Sequence, residues 1–269
     1  MLKIDKPYII TFANQKGGVG KTTLCACFAN YLALKGVKVR IVDCDRQQSI
    51  TRSRKRDSVK YGGVNIPYPV DGYKSLTRDM MRNVIAESIN REDVEITLFD
   101  CPGSITEPWL IPLIANSDFV VIPFHYDDVT IASTSEFVIF VDRINSSTNR
   151  KPSTVVFMIP NISDKRVGTA AELRRWDNIR EKYDGYGTVT PKIFRKADME
   201  RISTLVDLDK QSKVVEAAFN KIYFGIFGCT DSVRSPAEFF RSPSKNKQQK
   251  TEDNSDEDFD TEENIDSNQ

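Results

Sequence analysis

The 269-residue sequence has few of the residues that bind transition metals or form disulfides. It contains one histidine and five cysteines, and no two cysteines form a C-x-x-C pair. Structural zinc sites need several such side chains at short, regular spacings, so this composition argues against a zinc site. We expect the cysteines to be buried, reduced thiols.

Long apolar runs are absent as well. No uninterrupted apolar stretch approaches the roughly 20 residues that span a bilayer. The first segment turns polar by residue 14, before the apolar core of a signal peptide could form. We therefore expect a soluble, cytoplasmic protein that is not held in a membrane.

The formal net charge of the chain is zero, but acidic and basic residues are unevenly distributed along it. Residues 251–269 contain nine acidic residues and no basic ones, which leaves 38 basic and 29 acidic residues in 1–250, a formal charge of +9. A basic body suits a polyanionic partner such as nucleic acid. A generic excess of surface lysine and arginine gives the same number, so charge alone leaves both interpretations open.

Apolar runs alternate with helical patterns along most of the chain. The runs are continuously apolar, which is typical of a parallel sheet covered on both faces. Repeated strand–helix order predicts a doubly wound α/β domain over residues 1–228, with a mainly parallel sheet and helices on both faces. Residues 229–269 are polar, acidic and aperiodic, which predicts a disordered tail. The predicted strands are 8–13, 37–43, 95–100, 118–124 and 153–160, and the predicted helices are 21–36, 75–90, 107–116, 131–146, 168–183 and 212–227.

The segment ANQKGGVGKTTL, residues 13–24, is typical of a phosphate-binding loop. In the common form, G-x-x-x-x-G-K-[ST], the end is filled here by Gly20, Lys21 and Thr22. Gln15 occupies the position of the first glycine, and a second lysine, Lys16, follows it. The context that a P-loop needs, a strand before and a helix after, is present.

Each residue type in this segment has a role in phosphate chemistry. Lys21 is expected to reach the β- and γ-phosphates, the Thr22 hydroxyl to bind Mg²⁺, and Thr23 to contact the α-phosphate. The helix N-terminus adds its positive dipole end. The loop glycines are Gly17, Gly18 and Gly20. Because glycine has no Cβ atom, the backbone N–H groups around them can converge on an anion.

Carboxylates follow two of the predicted strands. Asp100 ends the run LFDCPG in the usual Walker B position, and Asp43 and Asp45 lie two apart in VDCDRQQS. The carboxyl ends of parallel strands meet at one edge, where ligands collect, so these side chains are expected beside the loop. Any one aspartate alone could be a turn or cap residue, but three in register with a phosphate loop favour a magnesium–nucleotide site.

The early lysine in KGGVGKTT, with VDCD and LFDCPG, resembles the deviant Walker A ATPases of the ParA/MinD group. Two later segments, SDFVVIPFHYDDVTIAS and TPKIFRKADMERIS, are similar to that group too, so the resemblance covers roughly residues 5–227. It is closest to the Soj-like partition ATPases of the ParA type, and DCDRQQSI is similar to a branch encoded by conjugative elements. The resemblance implies a P-loop NTPase fold that binds ATP and Mg²⁺.

The resemblance also implies roles for individual residues. Lys16 matches the lysine that crosses a dimer interface to the partner's phosphates, and Asp45 matches the carboxylate that positions the attacking water. Asp43 and Asp100 match the carboxylates near Mg²⁺. Arg46 departs from the group, which usually has proline there, and this puts the local loop shape in question. Further nucleotide-binding residues implied are Val19 and Asn161.

A ParA-like function would involve several partners. ATP would close a homodimer, its basic surface would hold DNA without sequence preference at the nucleoid, and a ParB-like adaptor would accelerate a slow hydrolysis. The basic run TRSRKR (51–56) supports DNA binding, although a solvated charge run is the simpler interpretation. Positions near the DNA-contacting arginines of chromosome-partition members are Lys165 or Arg166 and Lys192 or Arg195.

Two other functions are compatible with this type of loop. A MinD-like ATPase would position a cargo on a membrane or act on a protein cargo, and the membrane-recruited members of this type end in a basic amphipathic helix. Here the stretch at 214–227 is better explained as a core-packing helix, and an acidic tail that anionic lipids would repel follows it.

A reductase of the nitrogenase iron-protein type needs two cluster-ligating cysteines per chain. Cys101 is the one cysteine expected near the nucleotide edge, and no suitable second cysteine is apparent, which argues against this reductase.

Overall fold

The structure is a computed structural model and describes residues 6–148, 153–164 and 168–228. The predicted tail at 229–269 lies outside these residues, as do Lys165 and Arg166. The four cysteines at 25, 27, 44 and 101 are buried free thiols, as the composition predicts. Across the described ranges, no helix is both long and apolar enough to cross a membrane.

Seven strands and seven α-helices alternate through the described part of the chain, with one short 3-10 helix at Ala197–Glu200. The strands are β1 (Tyr8–Phe12), β2 (Val39–Asp43), β3 (Val70–Gly72), β4 (Ile96–Asp100), β5 (Phe119–Phe124), β6 (Val155–Pro160) and β7 (Thr188–Val189). The helices are α1 (Lys21–Leu34), α2 (Ser49–Lys60), α3 (Arg78–Ile89), α4 (Leu110–Asn116), α5 (Asp128–Thr148), α6 (Ala170–Asp184) and α7 (Ser212–Phe227).

The strands form one sheet in the order β3-β2-β4-β1-β5-β6-β7, and every neighbouring pair is parallel. From β1 the chain passes to β2 and then to β3 at one edge, returns to β4 between β2 and β1, and crosses to the other side of β1 at β5. Ligands of such sheets bind at the carboxyl edge where the winding direction switches. The prediction of a doubly wound, parallel α/β fold is confirmed, and its binding edge lies at the end of β1.

Two apolar layers cover the sheet because successive side chains of a strand point to opposite faces. Ile10 and Phe12 of β1 face the layer built with α1 and α7, whereas Ile9 faces the layer built with α3, α4 and α5. On the first face, Phe28 of α1 packs against Phe219 of α7 with ring centroids 5.0 Å apart. Burial on both faces explains why the strand sequences are apolar without alternation.

The 3-10 helix and three of the α-helices and strands, namely α2, β3 and β7, have no counterpart among the predicted elements. The two strands are only three and two residues long and lie at the sheet edges. Helix α2 has the sequence SITRSRKRDSVK, and its buried positions are Ile50, Thr51, Arg54 and Asp57. A helix that buries mostly polar side chains gives no hydrophobic period, so the sequence pattern could not indicate it.

Candidate functional site

The glycine-rich loop connects β1 to α1 at the carboxyl edge of the sheet. Gly18 and Gly20 have φ angles of 79° and 93°, in the left-handed region that favours glycine. A Cβ atom at Gly20 would lie 2.3 Å from Nδ2 of Asn161, so this glycine is required by space as well as by backbone angle. The loop leads directly into α1 at Lys21, which places the helix N-terminus beside it.

Side chains from the neighbouring strand ends hold the loop in shape. Asn161, which follows β6, donates from Nδ2 to the Val19 carbonyl oxygen at 2.9 Å. Asn14 donates from Nδ2 to the carbonyl oxygen of Pro123 in β5 at 2.8 Å, and its Oδ1 accepts from the Lys16 N–H at 3.3 Å. The loop is thus fixed before any ligand binds, which lowers the entropic cost of ordering it around a phosphate.

Lys21 is buried at the base of the loop, with a relative exposure of 7%. Its Nζ donates to the carbonyl oxygen of Lys16 at 2.9 Å. Burial lowers the pKa of Lys21, while the negative charges of Asp100, Cys101 and Asp45 raise it. A buried ammonium that lies within a loop of N–H donors is suited to binding an anion such as a phosphate.

Asp43 and Asp100 end adjacent strands and are direct partners in the β2–β4 register. Both are fully buried. Oδ2 of Asp43 accepts hydrogen bonds from the N–H and the hydroxyl of Thr51, each at 2.9 Å. Three carboxylate oxygens, Oδ1 of Asp43 and both of Asp100, are buried and have no hydrogen bond of normal geometry within the described residues.

Burial strongly affects the acidity of this pair. It raises the pKa of Asp100 well above its usual range, and the neighbouring Asp43 charge raises it further, while the Thr22 hydroxyl and Lys21 lower it. Burial also raises the pKa of Asp43, against the hydrogen bonds from Thr51. Two buried carboxyl groups side by side are costly to ionise together unless a cation joins them.

These residues fit Mg²⁺, which prefers oxygen ligands and usually binds through one or two carboxylates plus phosphate oxygens. The three buried oxygens of Asp43 and Asp100 and the nearby Thr22 hydroxyl provide such donors. Within the described ranges, no group of three or more histidine, cysteine, aspartate and glutamate side chains could hold a metal alone. The geometry therefore suits a metal that arrives with a nucleotide rather than a permanently caged ion.

Asp45 begins the turn between β2 and α2 and is partly exposed. Its Oδ1 accepts from the Gln47 N–H at 2.8 Å, and its carbonyl oxygen accepts from the Gln48 N–H at 2.9 Å. It lies near enough to Lys21 and Asp100 to influence the pKa of both. The carboxylate is therefore fixed at the mouth of the site, where a phosphate or a water could reach it.

Arg46, the departure from the family pattern, forms an ion pair with Glu107 in the loop after β4, with Nη2 and Oε1 3.0 Å apart. Glu107 also accepts from the indole N–H of Trp109 at 3.2 Å. Gln48, two residues later, has a positive φ of 48° just before α2 begins. The turn is thus held by a cross-loop ion pair in a chain that lacks the usual proline.

Lys16 has a different environment from Lys21. Its side chain is partly exposed, and no described residue forms an ion pair or hydrogen bond with its ammonium. Its neighbour Gln15 donates from Nε2 to Glu136 on α5, which ties this part of the loop to the second layer. Within the described protomer the Lys16 ammonium therefore has no partner, and the role of Lys16 across a dimer stays a prediction.

Gly103 is a site residue that sequence reasoning missed. A Cβ atom there would lie 3.1 Å from both N and Cα of Gly17 and 3.4 Å from Nζ of Lys21. The loop after β4 therefore packs directly on the phosphate loop. The Pro-Gly dipeptide that follows Asp100 in DCPG was the available signal, because Pro-Gly marks a tight turn.

A cleft of about 500 Å³ opens beside Asn161 between the loops after β5 and β6 and helix α6. The Lys192 ammonium lies over two aromatic rings that line this cleft, 5.1 Å from the Tyr126 centroid and 4.8 Å from that of Trp176. Arg195 is exposed, and its backbone N–H donates to the Ser163 carbonyl oxygen. Of the two described DNA-contact candidates, Arg195 therefore has the more accessible side chain.

Comparison with known proteins gives a family match over most of the chain. The CobQ/CobB/MinD/ParA nucleotide binding domain matches residues 10–222. The chromosome-partitioning ATPase Soj of Thermus thermophilus is 28% identical over 159 residues, which are 52% of this chain and 64% of Soj. The chain thus matches slightly less than two thirds of that relative's length.

Solved structures share the fold at lower identity. A plasmid partition protein of Borrelia burgdorferi bound to AMPPNP superimposes with a TM-score of 0.60 at 21% identity and covers 81% of this chain and 100% of its own. Cobyrinic acid a,c-diamide synthase of Mycobacterium smegmatis, with an ATP analogue and magnesium, gives a TM-score of 0.60 at 18% identity over 85% of this chain and 97% of its own. The ligands of these two proteins agree with the prediction of ATP and Mg²⁺ from the sequence.

Proposed function

The chain belongs to the CobQ/CobB/MinD/ParA family of nucleotide-binding domains, and from that premise we propose that it is a ParA-like ATPase that partitions or positions DNA. In the proposed cycle it binds ATP with Mg²⁺, dimerises, holds DNA without sequence preference and hydrolyses ATP. The DNA would belong to a plasmid, a chromosome or a mobile element. The similarity to Soj and to the Borrelia partition protein supports this choice.

The observation that carries the proposal is the combination of a preformed phosphate loop with two buried, adjacent carboxyl groups at its side. Asp43 and Asp100 keep three buried oxygens without a hydrogen bond of normal geometry in the described chain, next to the Lys21 ammonium. Such an arrangement is costly for an empty protein and favourable around a cation that is itself bound to phosphates. It therefore supports a magnesium–nucleotide complex as the ligand.

Within one protomer, the chain's own residues would bind and orient the nucleotide. Loop N–H groups and Lys21 would hold the β- and γ-phosphates, and Thr22, Asp43 and Asp100 would hold Mg²⁺. The ion, when bound, neutralises charge on the phosphoryl oxygens. Asp45 would orient the attacking water. No strong general base is evident among the described site residues, so we expect slow turnover that a partner accelerates.

Lys16 would act across a dimer. Its charge has no partner in its own described protomer, and it lies in the loop that surrounds the phosphates. A cation supplied by a second subunit to the transferring phosphoryl group does the work that an arginine finger does in GTPases. Hydrolysis would then require the ATP-bound homodimer, and a ParB-like adaptor would act on that state.

DNA binding would follow from the basic body of the chain, and the ATP-bound form would then locate to the nucleoid. Among the candidate contacts, Arg195 is exposed, Lys192 lies over the Tyr126 and Trp176 rings, and Lys165 and Arg166 lie outside the described residues. Nonspecific binding of this kind depends on counterion release, so affinity should fall steeply with salt.

The MinD-like alternative, a positioning ATPase on a membrane or protein cargo, has less support from the terminal helix. In α7, Val215, Phe219 and Ile222 are buried against the sheet, which confirms the core-packing interpretation of residues 214–227. An amphipathic membrane anchor needs its apolar face free. Co-sedimentation with anionic liposomes in ATP tests this alternative, and pelleting without DNA affinity would favour it.

The proposal is tested by measuring dimerisation, ATP hydrolysis and DNA binding of the wild type beside Lys16→Ala and Asp45→Ala. Lys16→Ala should lose the ATP-dependent dimer, and DNA binding should be lost with it. Asp45→Ala should hold the dimer but fail to turn over. Lys38→Ala, which removes an exposed lysine near the start of β2 at the opposite edge of the sheet, is the matched control and should behave as wild type.

Two results would contradict the scheme. An ATP-dependent dimer in Lys16→Ala equal to that of the wild type would remove the intersubunit role of this lysine. Normal turnover in Asp45→Ala would remove the role of this carboxylate in positioning water. Wild-type protein that binds ATP but never DNA would refute partition as the function.

A further inference from the structure

Helix α2 presents a row of cations to solvent, and we call it the basic face of α2, consisting of Arg52, Lys55, Arg56 and Lys60. All four side chains are exposed. Their spacing follows the i, i+3, i+4 and i+8 pattern that places residues on one side of a helix. At 1.5 Å per residue the face extends over about 12 Å.

The basic face has no exposed acid on its own helix. The single acidic residue of α2 is Asp57, which is buried and accepts from the Ser203 hydroxyl through Oδ2 at 2.8 Å. Its other oxygen lies 3.4 Å from Nε of Arg56, so one cation of the face is partly neutralised. The remaining three have no described carboxylate within ion-pair distance.

Helices α6 and α3 carry equal numbers of basic and acidic residues, unlike α2. Helix α6, AAELRRWDNIREKYD, has four basic and four acidic residues, and α3, RDMMRNVIAESI, has two of each. Mixed signs are typical of a surface that only needs to stay solvated. In α2, five basic residues stand against one buried acid, so solvation alone does not explain the composition.

Helix α2, which carries the basic face, is fixed to the body of the protein by hydrogen bonds of a buried arginine. Arg54, in the middle of the same basic run, is buried and is not part of the face. Its Nε and Nη2 donate to the hydroxyl and the carbonyl oxygen of Thr204 at 2.8 and 2.7 Å, and its Nη1 donates to the Tyr68 carbonyl oxygen at 2.7 Å. One arginine therefore fixes the helix to the body, and the others are held at its outer side.

We propose that the basic face of α2 binds the phosphate backbone of double-stranded nucleic acid. This inference rests on the proposed function, since DNA is the partner in that function, and it names the surface that makes the contact. Over about 12 Å a duplex presents about seven phosphate charges, so a row of four cations has enough phosphates to meet. Contacts of this kind carry no base readout, as nonspecific binding requires.

A lipid surface is the competing polyanion, and the composition of α2 does not fit it. Helices that bind at membrane interfaces insert an apolar face between the headgroups. The apolar residues of α2 are Ile50, which is buried, and Val59, which is exposed and lies among the cations. One valine is too little apolar area for insertion, whereas phosphate contacts from water need none.

The test compares two double variants that remove the same charge from different helices. Arg52→Gln/Lys55→Gln removes two cations of the basic face, and Arg174→Gln/Lys182→Gln removes two exposed cations of α6. Binding to a labelled duplex of arbitrary sequence is measured by fluorescence anisotropy, with ATP and Mg²⁺, between about 50 and 200 mM salt. Thermal unfolding of each full-length variant confirms that it folds.

The α2 variant should bind at least about tenfold more weakly at 50 mM salt, and the magnitude of its log K against log [salt] slope should fall by about 1.8 per protomer, 0.9 for each lost contact. The α6 variant should keep most of the wild-type slope. Equal losses in the two variants would show a general charge effect and overturn the assignment. An unchanged α2 variant would overturn it too.

The outcome also separates this inference from the proposed function. If the wild type binds DNA and the α2 variant binds equally well, only the surface is misassigned. If the wild type binds no DNA in ATP, both fail. If the α2 substitutions instead abolish pelleting with phosphatidylglycerol vesicles and leave DNA affinity intact, the face is a lipid-binding surface and the nucleic-acid proposal is wrong.

Discussion

Asp100 illustrates how a single residue that is proposed to hold a ligand can destabilise the ligand-free fold. Its two carboxylate oxygens are buried, lack hydrogen bonds of normal geometry in the described chain and lie beside Asp43. Burial raises the pKa of Asp100 well above its usual range. A group with a raised pKa in the folded state stabilises the fold below its unfolded pKa, and this contribution is lost as the pH rises through the folded pKa.

Asp100→Asn should therefore stabilise the ligand-free protein at neutral pH, because asparagine imitates the protonated acid. We expect a gain of about 1–2 kcal/mol in the free energy of unfolding at pH 7, shrinking towards about pH 4, where the aspartate is itself protonated. Urea unfolding across this pH range measures it. The same variant should lose the rise in melting temperature that ATP and Mg²⁺ give the wild type.

Asp93→Asn is the control, because Arg91 lowers the pKa of this exposed aspartate and the pH dependence should then have the opposite sign. A loss of stability in Asp100→Asn that grows from about pH 4 to pH 7 would show that the folded protein stabilises the ionised carboxylate. That result would contradict the inference that burying Asp100 beside Asp43 destabilises the ligand-free protein at neutral pH.

At the scale of elements, the loop after β4 and the phosphate loop act as one unit. Gly103→Ala would place a methyl group 3.1 Å from the backbone of Gly17, and neither backbone can move without disturbing its strand. We expect weaker nucleotide binding, by about tenfold, since a phosphate loop displaced by a few tenths of an ångström loses hydrogen-bond geometry. Isothermal titration with an ATP analogue and Mg²⁺ measures the affinity.

Gly62→Ala provides the comparison, because a Cβ atom there would meet no atom within 4 Å and the backbone is not in the left-handed region. It should bind nucleotide as the wild type does. Unchanged affinity in Gly103→Ala would mean that the two loops move independently, and the account of a shared unit would be wrong.

The elements that could be predicted from the sequence are those whose buried side chains are apolar. Strands β1, β2, β4, β5 and β6 have five or six residues and are almost wholly buried, so continuous apolar runs reveal them. Helix α2 is fixed instead by polar contacts with residues far away in the chain, such as the bond from Arg54 to Thr204, 150 positions later. No local pattern contains such a contact, which is why the helix was missed.

The candidate site shows the same division. Lys21, Asp43 and Asp100 could be placed from the motif and from the rule that parallel strands end at one edge, and the structure brings the three together. The packing of Gly103 on Gly17 could not be derived, because it depends on the spatial approach of two loops. Roles that need a second subunit, such as that of Lys16, stay predictions in a single protomer.

For the whole molecule, the division of charge gives a further prediction. Residues 251–269 carry nine acidic residues, and residues 1–250 have a formal charge of +9. An acidic segment attached to a basic body competes with DNA for the same cations at high effective concentration. Deleting 251–269 should therefore tighten DNA binding at low salt, and the difference should shrink as salt is raised.

The measurement is a salt series of DNA affinity for the full-length and shortened chains. A matched control replaces the nine acidic residues of 251–269 with their amides and keeps the length. Equal affinity of the full-length and shortened chains at low salt would refute the competition. Tighter binding on deletion but not in the amide control would assign the effect to length rather than charge.

Two hydrogen bonds from Thr51 to Asp43 join the two surfaces on which the proposed function depends. Thr51 lies in the first turn of α2, and both its N–H and its hydroxyl donate to a carboxylate that faces the nucleotide site. If binding of magnesium and nucleotide changes the hydrogen bonds that Asp43 accepts from Thr51, the position of α2 changes with them. Thermodynamic reciprocity then requires that DNA tighten the nucleotide by the same factor by which the nucleotide tightens DNA. A DNA-bound molecule would thus bind its nucleotide more tightly than a free one, so the concentration of nucleotide needed to occupy the site would be lower on DNA than in solution.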